Sequence, residues 1–170
     1  MEKKDSSRKI KDFRDLEKRI REVRESAIDL STEEDLAIAV MNLISLEEHL
    51  FFSGAKTGKP SYYDSLGEIR EMRKVLLARM LPRTEGEAWC VSKHLLSASM
   101  RLIEVGTKLR ADGKTKDADD MFAYAFKLFN LFFGVRLGIA SAPEAIEHAK
   151  SEKPMTFDDI MGKLVDCCKE

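Results

Sequence analysis

The sequence predicts an all-α protein, an antiparallel helical bundle of about six helices in a single domain of 170 residues. Apolar residues recur three and four positions apart along most of the chain, which is the period of one helix face. No segment shows the strict alternation of apolar and polar residues that is typical of a half-buried strand. A hydrophobic content of 44% and a charged content of 35% fit a folded chain with a core.

The stretch from Glu87 to Arg110 is the predicted central helix. Trp89, Leu96 and Ile103 widen its apolar stripe on one side, and a stripe of this width is usually buried against several neighbours. The stripe itself comprises Ala88, Val91, Leu95, Ala98, Leu102, Val105 and Leu109.

The remaining helices are predicted from the same period and from capping signals. Ser31 and Glu34 form a predicted capping box, and Gly138 suits a helix C-terminus. Residues 1–30 are expected to contain a charged amphipathic helix, residues 31–137 the bundle core and residues 138–170 a helical extension. The helices are predicted at 9–30, 31–52, 61–81, 87–110, 116–137 and 156–168, with a short one at 143–150.

The first predicted helix carries a narrow apolar seam with charges close on both sides. Such a seam needs a partner along one line, either the flank of the bundle or the same helix of a second chain. We therefore take four of its residues as candidate interaction residues: Phe13, Leu16, Ile20 and Val23.

The fifth predicted helix is rich in aromatic residues, and most of them are expected in the core. Phe126 and Phe133 lie partly away from the side that carries Phe122 and Phe129. An exposed remainder would mark a contact surface, so Phe126 and Phe133 are further candidate interaction residues.

The basic residues of two predicted helices offer an alternative function. The first 24 residues contain ten Lys or Arg against six Asp or Glu. The interleaved acids and the net charge of −1 weaken a nucleic-acid reading. The candidates for such contacts are Lys9, Arg14, Arg21, Arg70 and Arg73.

The central and fifth helices together resemble one tetratricopeptide unit. Small residues at Gly106, Ala118 and Ala125 would let two antiparallel helices approach closely, and Phe122 would fill the groove between them. Leu102, Val105, Leu109 and Gly113 also match the motif. Asn130 stands where the family usually has Pro, so the helix is expected to continue. The resemblance covers about residues 99–132, a single unit, and it implies a role in binding.

Two further patterns suggest chemistry and are judged weak. His49, Cys90 and His94 could converge on a metal, but the Glu-x-x-His signature of carboxylate di-metal bundles is absent. The segment from Gly54 to Lys59 is one residue short of a P-loop and has Pro60 where a hydroxyl is needed. We expect no metal, no cofactor, no catalytic residue and a flexible turn at this segment.

The sequence favours a cytoplasmic, non-enzymatic protein–protein interaction module, an adaptor or complex subunit. The N-terminus lacks an apolar signal region, and no apolar run reaches bilayer length. The expected partner is a protein, with a second copy of the chain as one candidate, and not a membrane. The alternatives are an RNA- or DNA-binding accessory protein and a small metal-binding helical protein or enzyme.

Overall fold

The computed structural model describes residues 29–81 and 86–138, together with Lys18, Arg21, Glu22 and Glu25. The two long ranges contain four helices and no strand, which confirms the all-α class. The other predicted helices, at 9–30, 143–150 and 156–168, lie outside the described residues or almost wholly so. The four helices are α1 (Leu30–Thr57), α2 (Ser61–Met80), α3 (Glu87–Ala111) and α4 (Thr115–Arg136).

The N-terminus of α1 is capped by Asp29, and the predicted capping box at Ser31 is wrong. The Asp29 carboxylate accepts hydrogen bonds from the backbone N–H groups of Ser31 and Thr32. The Thr32 hydroxyl donates to the same carboxylate at 2.7 Å, and this bond lowers the pKa of Asp29. Glu34 is instead buried. The helix starts earlier than predicted because an Asp two residues upstream satisfies its free N–H groups.

The C-terminus of α1 lies five residues beyond the predicted end near Phe52. Gly54 continues the helix, and a Cβ atom there would lie 2.8 Å from Cζ of Tyr63. The glycine therefore provides room for the Tyr63 ring at the start of α2. Gly58, with φ of 66°, closes the helix in the left-handed conformation that glycine adopts readily. The predicted loop from residue 53 to 61 shrinks to residues 58–60.

The α3–α4 hairpin is built on small residues. A Cβ atom on Gly106 would lie 2.5 Å from Cε1 of Phe122. The buried Ser99 hydroxyl donates to the carbonyl of Ala125 at 2.8 Å. These contacts pair a late residue of one helix with an early residue of the other, so the two helices are antiparallel. Helix α4 continues through Asn130 as expected and ends before Gly138, which has φ of 65°.

The core lies where α1 and α3 begin and where α2 and α4 end. On α3 the buried face includes Ser92, Ser99 and Gly106, while Val105 of the predicted stripe is exposed. The face is rotated because close packing against α4 selects small residues over large apolar ones. The core cluster comprises Ala37, Val40, Met41, Leu77, Met80, Leu81, Leu95, Leu96, Leu131, Phe132, Phe133 and Leu137.

The buried face of α2 also differs from the prediction. Met72, assigned to the apolar stripe, is exposed, whereas Arg73 and Leu77 are buried. The rotation occurs because Arg73 donates to the Glu47 carboxylate of α1 through two nitrogens, at 2.7 and 3.3 Å. A two-pronged pair of this geometry is the arrangement that Arg forms best with a carboxylate.

Two arginines connect the hairpins. Arg101 of α3 contacts Glu48 at 3.0 Å and Ser45 at 2.6 Å, both on α1. Arg136 of α4 contacts Glu33, near the start of α1, at 2.8 Å. Because α3 and α4 are antiparallel, these two contacts make α1 run parallel to α3. The turns of both hairpins therefore lie at the same end of the fold, opposite the core.

Among the described helices, α1 is long and apolar enough to cross a membrane by length and composition. This finding modifies the expectation that no apolar run reaches such a length, although one helix of this kind is weak evidence of membrane insertion. In the present fold, the Glu47 and Glu48 carboxylates of α1 pair with arginines of α2 and α3.

Replacing Gly106 by Leu is expected to destabilise the protein by about 1–3 kcal/mol, because the new side chain must displace the Phe122 ring. Gly67→Leu is the matched control, since Gly67 is also helical and has open space around it. The control is expected to be neutral or stabilising, because glycine is a poor helix former. Thermal unfolding of both variants measures the difference, and equal melting temperatures would contradict the close approach of α3 and α4.

Two buried serines on one face of α3 provide a second test. The Ser99 hydroxyl has a partner, whereas the Ser92 hydroxyl has none among the described contacts. Ser99→Ala is expected to lower the free energy of unfolding by about 1 kcal/mol, and Ser92→Ala to leave it unchanged or raise it. Urea unfolding compares them. An equal loss in both variants would show that the Ser92 hydroxyl is also hydrogen-bonded.

Candidate interaction surface

Three aromatic side chains cluster at the turn of the α1–α2 hairpin, and we call them the aromatic end: Phe51, Phe52 and Tyr63. The exposed fractions of these residues are 50%, 50% and 45%. The Phe51 and Phe52 rings meet edge to face, with centroids 5.3 Å apart and planes at 70°. Clustered apolar side chains with this much exposure are typical of interaction sites.

The aromatic end exists because α1 extends past Phe52. Successive residues of a helix point about 100° apart, so Phe51 and Phe52 cannot both face one neighbouring helix. Gly54 brings the Tyr63 ring against the backbone of α1 just beyond them. The three rings are thus fixed to regular helices and not to a flexible loop.

The charges next to the aromatic end are positive. Lys56 and Lys59 are exposed, and neither forms an ion pair within the described part of the chain. The sequence from His49 to Tyr63 contains no Asp or Glu. The surface therefore combines apolar rings with uncompensated positive charge.

The second hairpin exposes a further set of apolar side chains. Phe126 is 51% exposed, so it remains a candidate contact residue. Phe133 does not, because it is fully buried and packs edge to face against Phe129 and Phe132 in the core. The other exposed large apolar residues of this hairpin are Ile103, Val105 and Tyr124.

The proposed nucleic-acid residues do not all remain available. Arg73 is only 4% exposed and is occupied by Glu47, so it must be removed from the set. Arg21 and Arg70 are exposed, while Lys9 and Arg14 lie outside the described residues. The structure therefore does not assemble these five residues into one basic stripe.

The apolar seam of the first predicted helix lies outside the described residues, including Phe13, Leu16, Ile20 and Val23. Its polar side is partly described. The Glu25 N–H donates to the Arg21 carbonyl at 2.9 Å, which is one helical turn. The four described residues have the spacing of one helix face, and all are exposed: Lys18, Arg21, Glu22 and Glu25.

The candidate metal ligands are not gathered into a site. His49, Cys90 and His94 are each exposed. His49 follows the residue that contacts Arg101, and Cys90 precedes Arg101 by eleven residues, about 16 Å along the helix. Within the described ranges, no group of three or more His, Cys, Asp or Glu residues could hold a metal ion.

The segment from Gly54 to Lys59 does not form a phosphate-binding loop in this structure. Its first four residues belong to α1, and Gly58 closes that helix. A P-loop needs a glycine-rich loop that leads into a helix N-terminus. Here the segment forms a helix C-terminus, whose free carbonyl groups carry the opposite partial charge.

The sequence analysis missed Phe51, Phe52 and Tyr63 as surface residues, because it ended the helix near Phe52. Two signals could have identified them. Adjacent aromatics on a helix point in different directions, and the stretch around them lacks any acidic residue.

The fold and this surface define an all-α protein of two antiparallel hairpins with an exposed aromatic end. Comparison of the chain with protein-family models, with curated proteins and with solved structures finds no match. The functional argument therefore depends on the residues of the chain.

The two arginines of α2 allow a test of structural against surface roles. Arg73→Ala is expected to destabilise the protein by about 3–5 kcal/mol, because it leaves the largely buried Glu47 carboxylate unpaired. Arg70→Ala, on the exposed side of the same helix, is expected to change stability by less than about 0.5 kcal/mol. Chemical unfolding of both variants gives the comparison. A small effect of Arg73→Ala would mean that the ion pair contributes little and that Arg73 can turn outward.

Proposed function

We propose that this protein is a non-enzymatic protein–protein interaction module that binds a partner through the aromatic end. The observation that carries the proposal is the cluster of Phe51, Phe52 and Tyr63, each about half exposed. Aromatic residues are enriched among the residues that dominate binding energy in protein interfaces. An adaptor or complex subunit in the cytoplasm is the setting that we propose.

The α3–α4 hairpin supports the same class of function. Its resemblance to a tetratricopeptide unit implies binding, and Gly106 and Phe122 are in contact as such a motif requires. A single unit cannot form a solenoid. We therefore propose a larger bundle of about six helices in which this hairpin is one part.

A second copy of the chain is one candidate partner, because the first predicted helix carries a seam suited to pairing. Binding of nucleic acid is the alternative. It has lost Arg73 to an internal ion pair, and two lysines at the aromatic end would neutralise few phosphates.

The test compares the full-length protein with Phe51→Ser/Phe52→Ser in affinity capture from the native cell, with and without nuclease. We expect the double variant to lose the specific partners by about tenfold or more, since removing interface aromatics commonly costs at least 2 kcal/mol. Met72→Ser/Val75→Ser is the matched control, because it removes two exposed apolar side chains from the middle of α2.

The control variant is expected to capture the same partners as the native protein. Circular dichroism and thermal melts must show that both variants remain folded. Light scattering of the native protein and the Phe51→Ser/Phe52→Ser variant shows whether the partner is a second copy. Equal capture by all three proteins, or capture that nuclease abolishes, would contradict the proposal.

A further inference from the structure

We infer that the partner of the aromatic end is an acidic peptide segment that carries apolar side chains, such as an amphipathic helix with a carboxylate-rich polar face. This inference rests on the proposed function and specifies the chemistry of the partner. Charge, geometry and the number of available cations support it in turn.

The first step is the charge around the rings. Lys56 and Lys59 are exposed at the turn of the α1–α2 hairpin. Helix α3 runs parallel to α1 and ends at the same end of the fold, where it adds the exposed Lys108. None of these three lysines forms an ion pair within the described ranges. A partner with carboxylates would therefore meet unpaired cations, whereas a basic partner would be repelled.

The second step is the geometry between the hairpins. Glu48 of α1 and Arg101 of α3 form an ion pair. One helical turn further on, the corresponding positions are Phe52 on α1 and Val105 on α3. Both are exposed, at 50% and 43%. The facing sides of α1 and α3 thus change from ion-paired to apolar and accessible.

This change suits a peptide with apolar residues three and four positions apart. The apolar side of an amphipathic helix packs into a groove between helices in many complexes. Phe51, Phe52 and Tyr63 would supply the aromatic anchors, and the three lysines would surround them. The arrangement matches the apolar centre and polar rim of a protein interface.

The third step separates a peptide from other anionic partners. Attraction to an anionic membrane supplies about 1 kcal/mol per Lys or Arg, and recognition usually uses four to eight of them. RNA or DNA binding likewise gains its strength from many phosphate contacts. The aromatic end offers three lysines, while Arg73 and Arg101 are already paired with glutamates. Apolar contact must therefore provide most of the binding energy.

The experiment uses two synthetic amphipathic peptides with the same apolar face. One has Glu and the other has Lys at the polar positions, and each carries a fluorophore. Fluorescence anisotropy measures their binding to the full-length protein at low and at high salt. We expect the acidic peptide to bind about tenfold tighter at low salt, because two or three favourable ion pairs supply roughly 1.4 kcal/mol in total.

Variants assign the binding to this surface. Lys56→Glu/Lys59→Glu is expected to reverse the preference between the two peptides, and Phe51→Ser/Phe52→Ser to abolish binding of both. Arg70→Glu/Arg79→Glu, a matched charge change at exposed positions of α2, is expected to leave the preference unchanged. Thermal melts check that each variant is folded.

Three outcomes would overturn the inference. The first is equal binding of the two peptides with no effect of the lysine variant, which leaves the proposed function standing if the Phe51→Ser/Phe52→Ser variant still loses its cellular partner. The second is binding of neither peptide, in which case cellular capture decides the proposed function separately. The third is tighter, lysine-dependent binding to phosphatidylserine vesicles or to a single-stranded RNA oligonucleotide.

Discussion

The fold depends on one kind of contact, an aromatic ring packed against a glycine of the preceding helix. It occurs in both hairpins, between Gly54 and Tyr63 and between Gly106 and Phe122. A glycine inside a helix lowers helix stability by about 1 kcal/mol relative to Ala, so the ring contact must outweigh that cost. In return, the two helix axes come close without a side chain between them. In the first hairpin this contact carries α1 past Phe52 and so fixes the aromatic end on a rigid element.

Charged side chains act mainly as connections between helices. Arg73 joins α2 to α1, Arg101 joins α3 to α1, and Arg136 joins α4 to α1. Their weights differ, because the Arg73 pair is largely buried while the Arg101 pair is about 40% exposed and is weakened by solvent. Helix α1 therefore receives an arginine from every other described helix. This explains how a helix with so much apolar surface keeps a defined position without being buried.

The sequence predicted the four described helices and their order, because the three-four spacing of apolar residues is strong in each. It failed in which faces are buried. On α3 the pattern counted Val105 as core, but close packing buried Ser92, Ser99 and Gly106. On α2 it counted Met72, but the pair with Glu47 buried Arg73. Apolar periodicity registers where large residues lie, whereas small residues and specific ion pairs decided the contacts. The same blindness ended α1 near Phe52 and left the aromatic end unpredicted.

The aromatic end is a consequence of local geometry that favours function over folding. Phe51 and Phe52 point about 100° apart on one helix, so covering both would need two neighbouring elements, and α1 has α2 as its extensive helical neighbour at this end. A polar residue at either position would fold equally well and would expose less apolar surface. Two adjacent phenylalanines, with a tyrosine beside them and lysines around them, instead keep about half of each ring accessible. Apolar area of this kind raises the risk of aggregation, and a binding role accounts for its presence.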